Sequence, residues 1–258
     1  MYSVSCLCCI ILCMVKFVIT EGAEKNSTFV TPEYIKPCYK SDPDINTCII
    51  NTFDHLKPYL VNGIEDIDVP SIDPLKIDSL TMENGRGVYR VKANFFNISA
   101  SGASNFSVQS VRADVANYII QLGVTLPKIE IKGKYDVSGN VLLFNLRTKG
   151  EFWAIFLDVY GKATMFGKEY KNKENVRFMK IDKMMVDFTI SKSRFRVRDA
   201  INHGNVIGRA MNQFLNNNYQ EIITEMKPAA SSAIAKHFKS LLNKAFSKLP
   251  LKTWLPDA

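Results

Sequence analysis

Val206 to Lys248 reads VIGRAMNQFLNNNYQEIITEMKPAASSAIAKHFKSLLNKAFSK, and its apolar residues return at helical spacing over most of that length. Ile207, Ala210, Met211, Phe214, Leu215, Ile222 and Met226 step by three, four or a doubled interval. After Pro228 the stripe resumes with Ala233, Ile234, Phe238, Leu241, Leu242, Ala245 and Phe246. Such a pattern predicts an amphipathic helix. At ~1.5 Å per residue it would run ~60 Å, wider than a small globular core. Its partner must be long too, and no other stretch reads as a comparable helix. An elongated sheet from the middle of the chain is therefore expected. If Pro228 began a new helix, Lys227 would occupy the N-cap, where Ser, Thr, Asp or Asn are preferred. A kink inside one long helix is the favoured reading, and a bent rod suits a curved sheet.

At the other end, Cys6 to Ile19 is apolar apart from Lys16, and polar sequence begins at Thr20. The run is too short and too early for a spanning helix, which needs ~20 apolar residues. It reads as a secretory signal peptide, residues 1–22, followed by a single domain, 23–258. The alternative is an uncleaved anchor. Four of the six cysteines lie in the signal, leaving Cys38 and Cys48. In an exported chain such a pair forms one disulfide, closing a loop of about ten residues and contributing on the order of 2 to 3 kcal/mol. Two free thiols are the alternative, disfavoured in oxidising compartments. Sequons at Asn26, Asn97 and Asn105 mark candidate glycan sites and fit a secreted, extracellular protein.

Along the middle, Ile49, Ile50, Phe53, Leu56, Leu60 and Val61 take helical spacing, stopped by Asn62-Gly63, with Pro58 distorting the last turn. From Leu75 onward the period is that of strands. Tyr89, Val91, Ala93 and Phe95 alternate with polar residues until the parity flips at Phe95-Phe96. One extra residue in a strand is what a β-bulge supplies, and bulges bend sheets. A second flip separates Phe106 and Val108 from Val111, Ala113 and Val115. Ile129, Ile131, Tyr135 and Val137 alternate with charges, and Ser138-Gly139-Asn140 is expected to turn. Phe152 to Tyr160 is apolar on both phases, so it is covered on both faces or lines a cavity on one. Lys168 to Asn175 is a charged tip. Strands between helical ends make an α+β fold: a long kinked C-terminal helix wrapped by a strongly curved antiparallel sheet, with a short N-terminal helix.

Catalytic constellations are missing from the sequence. There is no G-x-S-x-G elbow, H-E-x-x-H, Walker loop or G-x-G-x-x-G, and His55, His203 and His237 have no partners at metal-ligand spacing. Neither enzyme activity nor a cofactor or metal is expected. The formal net charge of +8 favours solubility and weak attraction to anionic surfaces. Lys192, Arg194, Arg196 and Arg198 put every second residue of one strand on a single basic face. A plain solvent-facing strand is the first reading, and weak contact with a membrane or receptor the second. Aromatics occupy the opposite phase and cannot interleave as stacking platforms, which argues against nucleic acid. The remaining capacity is apolar, with nine Met and sixteen Phe.

Cys38 and Cys48 with the following helix, Leu56-Lys57-Pro58-Tyr59-Leu60-Val61-Asn62-Gly63-Ile64 running on to Val69-Pro70-Ser71-Ile72-Asp73-Pro74-Leu75, Met211-Asn212-Gln213-Phe214-Leu215-Asn216, Glu221, Lys227-Pro228 and Leu249-Pro250 form a combined signature. In these residues the chain resembles the insect takeout and haemolymph juvenile-hormone-binding protein family, within the tubular lipid-binding superfamily. The likeness runs from about Pro37 to Pro256, with Glu65 a departure where members often carry Pro. It implies a secreted carrier whose sheet and long helix enclose a tunnel for a small hydrophobic ligand, and a Cys38 to Cys48 disulfide. Monomeric action is expected. Candidate tunnel walls are Val91 and Phe95, Ile129 and Ile131, Trp153, Ile155 and Leu157, Val186 and Phe188 on the strands. Met211, Phe214 and Leu215 join them from the helix.

Overall fold

The alternating middle of the chain forms six antiparallel strands: β1 Leu75–Asn84, β2 Tyr89–Ser101, β3 Ser107–Asp114, β4 Ile119–Val141, β5 Phe144–Lys171 and β6 Arg177–Asp199. Their order is β1-β2-β4-β5-β6, with β3 pairing β4 beside β2. The computed structural model describes residues 31–85, 89–141, 144–199 and 205–257. The expected signal peptide and the Asn26 sequon lie outside the described residues, as does the His203 position. The elements above and below belong to the unit Pro32–Ala258.

Helix α1 spans Ile45–Asn62, and Cys38 is disulfide-bonded to Cys48 in its first turns. At the far end of the chain, α2 covers Asn205–Asn217, α3 Tyr219–Lys248 and α4 Leu251–Trp254. The helical stripe is interrupted at Asn218, ten residues before the proline, where φ is −114° and ψ 19°. Asn218 donates from Nδ2 to the Phe214 carbonyl at 2.8 Å, satisfying the end of α2 with its own side chain. Asparagine competes with the backbone in this way and so favours helix boundaries. Pro228 lies inside α3 on its exposed side. The carbonyl it leaves without a donor therefore faces water, which lowers the cost of the missing N–H.

Both parity flips in the sequence coincide with register shifts. One lies between Phe96 and Ser99 on β2, the other between Val108 and Ser110 on β3. Asn97, in the first of them, has φ 50°. The β4–β5 register is unbroken, yet the apolar phase changes along it. Ile120, Leu122, Val124 and Leu126 face the same side as Met165, Ala163, Gly161 and Val159. Beyond Pro127 the apolar residues are Ile129, Ile131, Tyr135 and Val137, against Phe156, Ala154, Gly150 and Thr148. The switch on β5 falls at Asp158, φ 50°, and on β6 at the exposed pair Ser191-Lys192. A line of irregular residues thus crosses the sheet and keeps one side apolar while the strands bend. At ~3.3 Å per residue β5 is ~90 Å along its path, and α3 at ~1.5 Å is ~45 Å. The sheet must coil to match.

Ser138-Gly139-Asn140 is no turn, because β4 continues to Val141. Gly139 has φ +144°, and a Cβ there would meet the Arg90 carbonyl oxygen at 2.2 Å. The glycine serves close strand approach, a use that turn chemistry alone does not distinguish.

The open strand edges are closed by side-chain amides. Asn212 accepts from the Val197 N–H at 2.8 Å and donates to the Val197 carbonyl at 2.9 Å. Asn216 does the same at Phe195, 2.9 and 2.7 Å, and Asn243 at Ile181, 2.7 and 3.0 Å. Each amide mimics one residue of a neighbouring strand. On the other edges, Asn46 Oδ1 accepts from Ala113 N–H at 2.8 Å, and Asn84 Nδ2 donates to the Glu225 carbonyl at 3.3 Å. Asp73 ties the start of β1 to the turn after β2, accepting from Gly102 N–H, Ser104 N–H and Ser104 Oγ.

Replacing Asn243 by Leu is expected to leave the Ile181 N–H and carbonyl unpaired in a buried setting, costing about 2 kcal/mol or more; urea denaturation measures it, and an unchanged midpoint refutes the edge-capping role. The Ser104 hydroxyl, ahead of the Gly102 and Ser104 amides, holds the Asp73 carboxyl below its ordinary range. A depressed folded value means that this contribution is present above the unfolded pKa and is lost as pH falls through the folded one. Asp73→Asn should accordingly be less stable than the parent at pH 7, and the gap between them should narrow below about pH 4. Parallel denaturation series at pH 7 and pH 3 test this; a constant gap contradicts it.

Candidate functional site

Apolar side chains on the sheet's inner side are not equally buried along its length. At the disulfide end they are sealed. Tyr34, Ile64 and Ile67 close on Ala245 and Leu249, and Met179 and Ile181 on Leu251 and Leu255. Ile181 and Leu251 are 0% exposed and Leu255 2%. Trp254 touches both groups, and its carbonyl accepts from Cys38 N–H at 3.0 Å. Asp257 completes the seal, accepting from the Lys40 and Ser41 amides and the Ser41 hydroxyl, which pushes its carboxyl pKa down to about 2.

Away from that end Val91, Ala93, Tyr135 and Ala154 are buried as well, while the larger phenylalanine and aliphatic side chains stay half-buried. Phe152, Phe156, Phe195 and Val197 on β5 and β6, Ile129 and Ile131 on β4, and Met211, Phe214, Leu215, Ile222 and Ile223 on α2 and α3 all keep some access. Aromatic edges meet here, Phe95 with Phe152 at 5.2 Å and Phe156 with Phe195 at 5.7 Å between ring centres. Native interiors pack densely. The larger apolar side chains of this face are therefore less enclosed than those at the disulfide end. Polar groups on this face are few. The Tyr135 and Thr148 hydroxyls pair at 3.2 Å. Ser193 Oγ, beside Phe156 in the register, is buried with no hydrogen-bond partner among the described residues. His237, half-buried on α3, has its pKa lowered by burial.

The register divides the residues read from the sequence as tunnel walls. Val91, Phe95, Ile129 and Ile131 share one half of the apolar side, and Val186 and Phe188 lie on its other half. Met211, Phe214 and Leu215 sit half-buried on α2. Trp153, Ile155 and Leu157 are placed elsewhere. They pair with Lys132, Glu130 and Lys128 on one side and with Arg196, Arg194 and Lys192 on the other. Direct cross-strand partners point to the same face, so these three belong to the charged outer face. Trp153 Nε1 donates to Glu130 there at 2.9 Å. Because β5 is apolar on both phases, its own periodicity could not choose. The charged phases of β4 and β6 are the signal that does. Phe152 and Phe156 take the inner positions instead.

Two open hollows lie outside the inner face. One of about 450 Å³, where β6 meets α2, is lined by Trp153, Arg194, Phe195, Arg196, Asn212 and Asn216. The other, about 520 Å³, lies on the charged face around Phe96, Lys134, Lys149 and Arg198. Among the described residues there is no group of three or more His, Cys, Asp or Glu side chains placed to hold a metal, and no helix long and apolar enough to cross a membrane. Asn97 and Asn105 are both exposed.

Comparison with known proteins gives a consistent relationship. The profile described as Haemolymph juvenile hormone binding protein (JHBP) matches residues 6–256. The Circadian clock-controlled protein daywake of Drosophila melanogaster is 20% identical over 230 residues, covering 85% of this chain and 86% of that protein. Its Drosophila yakuba counterpart is 19% identical over the same shares. Among solved structures, Takeout 1 of Epiphyas postvittana superposes with a TM-score of 0.69 at 19% identity, covering 84% of this chain and 97% of that one, which shows the shared fold. With the family profile matched along nearly its whole length, the chain belongs to the haemolymph juvenile hormone binding protein family, whose members are binding proteins and not enzymes.

Proposed function

We propose that this protein is a secreted carrier, with residues 1–22 removed as a signal peptide and 23–258 acting as one monomeric domain. It holds a small hydrophobic ligand, a terpenoid, fatty acid or similar lipid, between the inner face of the sheet and the α2–α3 helices. The observation that carries this reading is the run of half-exposed phenylalanines and large aliphatic side chains on the inner face away from the disulfide end, set among the buried Val91, Ala93, Tyr135 and Ala154. The walls are Val91, Phe95, Ile129, Ile131, Phe152, Phe156 and Phe195 on the sheet. Met211, Phe214 and Leu215 face them from α2, and Val186 and Phe188 extend the lining toward the sealed end.

Binding rests mainly on burial. At ~0.8 kcal/mol per methylene, a ligand of about fifteen carbons gains a gross ~10 kcal/mol. After losses of translational and rotational freedom, micromolar to nanomolar affinity follows. An unpaired buried hydroxyl costs about 1 to 3 kcal/mol, so Ser193 favours a ligand with an oxygen atom at that level. The family is described by its binding of juvenile hormone, a small hydrophobic ligand of the kind such a site would take. A second reading, contact with a membrane or receptor through Lys192, Arg194, Arg196 and Arg198, is favoured by the exposure of all four residues on one strand face.

Native mass spectrometry of the secreted protein should release a co-purified lipid. Leu215→Trp, which fills the proposed space, should weaken binding of a fluorescent fatty acid about tenfold or more, the equivalent of two lost methylenes, with the far-UV spectrum unchanged. Affinity equal to the parent's in both Leu215→Trp and Phe156→Ala would place the cargo elsewhere.

A further inference from the structure

The outer face of the sheet has an order that no single strand reveals. Reading across β4, β5 and β6, Lys128 pairs Leu157 and Leu157 pairs Lys192. Glu130, Ile155 and Arg194 make the next row, then Lys132, Trp153 and Arg196, then Lys134, Glu151 and Arg198. Side chains paired directly across strands point the same way. An apolar row of Leu157, Ile155 and Trp153 therefore runs between two rows dominated by cations. Adjacent strands are ~4.8 Å apart and residues rise ~3.3 Å, so the strip is ~10 Å wide and ~20 Å long.

The two cationic rows differ in their partners. Lys128 is held by Glu130 at 3.6 Å, and Glu130 also accepts from the Trp153 indole. Lys192, Arg194, Arg196 and Arg198 are exposed, and among the described residues none of them has a carboxylate within ion-pair distance. At the Arg198 end, the 520 Å³ hollow adds Lys149 and Phe96, the latter 41% exposed, together with Glu151 and Asp136.

We propose that this strip is a docking surface for an anionic lipid bilayer. A tryptophan and two aliphatic side chains flanked by long basic ones match the layering of a membrane interface. Indole and aliphatic groups sit at the level of the headgroups and upper chains, and the cations reach the phosphates and carboxylates around them. A nucleic acid would need stacking platforms or a phosphate-tracking groove instead. The apolar row sits where a duplex backbone would demand charge. An acidic protein is matched by the cations but not by the unbroken Leu157-Ile155-Trp153 row. The face is opposite to the proposed cargo space, with α2 bordering it only at the hollow shared by Trp153, Arg194, Arg196, Asn212 and Asn216, so a carrier docked through it would keep its inner face away from the bilayer. Docking does not depend on cargo, and each can fail separately.

The test uses the full mature chain with vesicles of phosphatidylcholine alone and of phosphatidylcholine with 30% phosphatidylserine. Flotation at ~50, 150 and 500 mM NaCl reads the electrostatic share, since a Debye length of ~8 Å at 0.15 M shrinks to a few Å at high salt. Binding to the phosphatidylserine vesicles at low and physiological salt is expected, fading at 500 mM. The triple variant Lys192→Gln, Arg194→Gln, Arg196→Gln should bind about 100-fold more weakly, from roughly fivefold per cation lost. Trp153→Ser should lose on the order of tenfold while keeping the salt dependence. Circular dichroism and fatty-acid affinity equal to the parent show that both variants are folded. No binding to either vesicle, equal binding by the triple variant, or binding to heparin or DNA as strong as to the vesicles would overturn the proposal.

Discussion

A curled sheet that does not close on itself has to satisfy the polar groups along its free edges, and in this protein carboxamides do so. Asn212, Asn216 and Asn243 each present one acceptor and one donor to a single residue of β6. A strand edge left bare invites pairing with other chains or costs desolvation. Asn46 of α1 accepts from one amide of β3 in the same way, whereas Asn84 of β1 uses its own side chain to reach the Glu225 carbonyl of α3. The helices therefore do more than cover the apolar side. They stand in for missing strands, and that fixes where α2 and α3 lie along β6.

Fixing the helices at the edges means that packing in the middle of the interior does not have to position them. Val91, Ala93, Tyr135 and Ala154 are buried on one half of the inner face, and two buried apolar clusters lie at the end where α1, the C-terminal turns and the disulfide meet. There Trp254, Asp257 and Cys38 bind the two ends of the described chain together. Elsewhere, the sheet is held by its own ladder and by edge amides, so its cohesion depends less on interdigitating side chains. Such a division suits the proposed carrier role, because cohesion supplied by a collapsed core would leave no room for cargo.

The line of irregular residues at Asn97, Pro127, Asp158 and Ser191-Lys192 does a related task. A strand of 28 residues such as β5 cannot stay flat and still enclose a helix. Inverting the phase at one level across several strands lets the sheet bend while one side stays apolar and the other charged. It also produces the outer pattern of Trp153, Ile155 and Leu157 between cations. The same inversion that shapes the inner face arranges the outer one.

By itself, the sequence determined the fold class, the two bulges in β2 and β3, the disulfide pair and the single basic face of β6, because each is written in local periodicity or residue count. The family resemblance was legible in scattered motifs such as Lys57-Pro58 and Met211-Asn212-Gln213-Phe214. Tertiary structure alone decided which phase of β5 faces inward, since both phases are apolar and only pairing with Lys132 and Arg196 distinguishes them. It also decided that the helical stripe breaks at Asn218, that Gly139 serves strand approach, and that three helical asparagines are edge caps. Periodicity reports the environment of a residue along one chain segment. Register and edge satisfaction are relations between segments distant in sequence, and they exist only once the strands have paired.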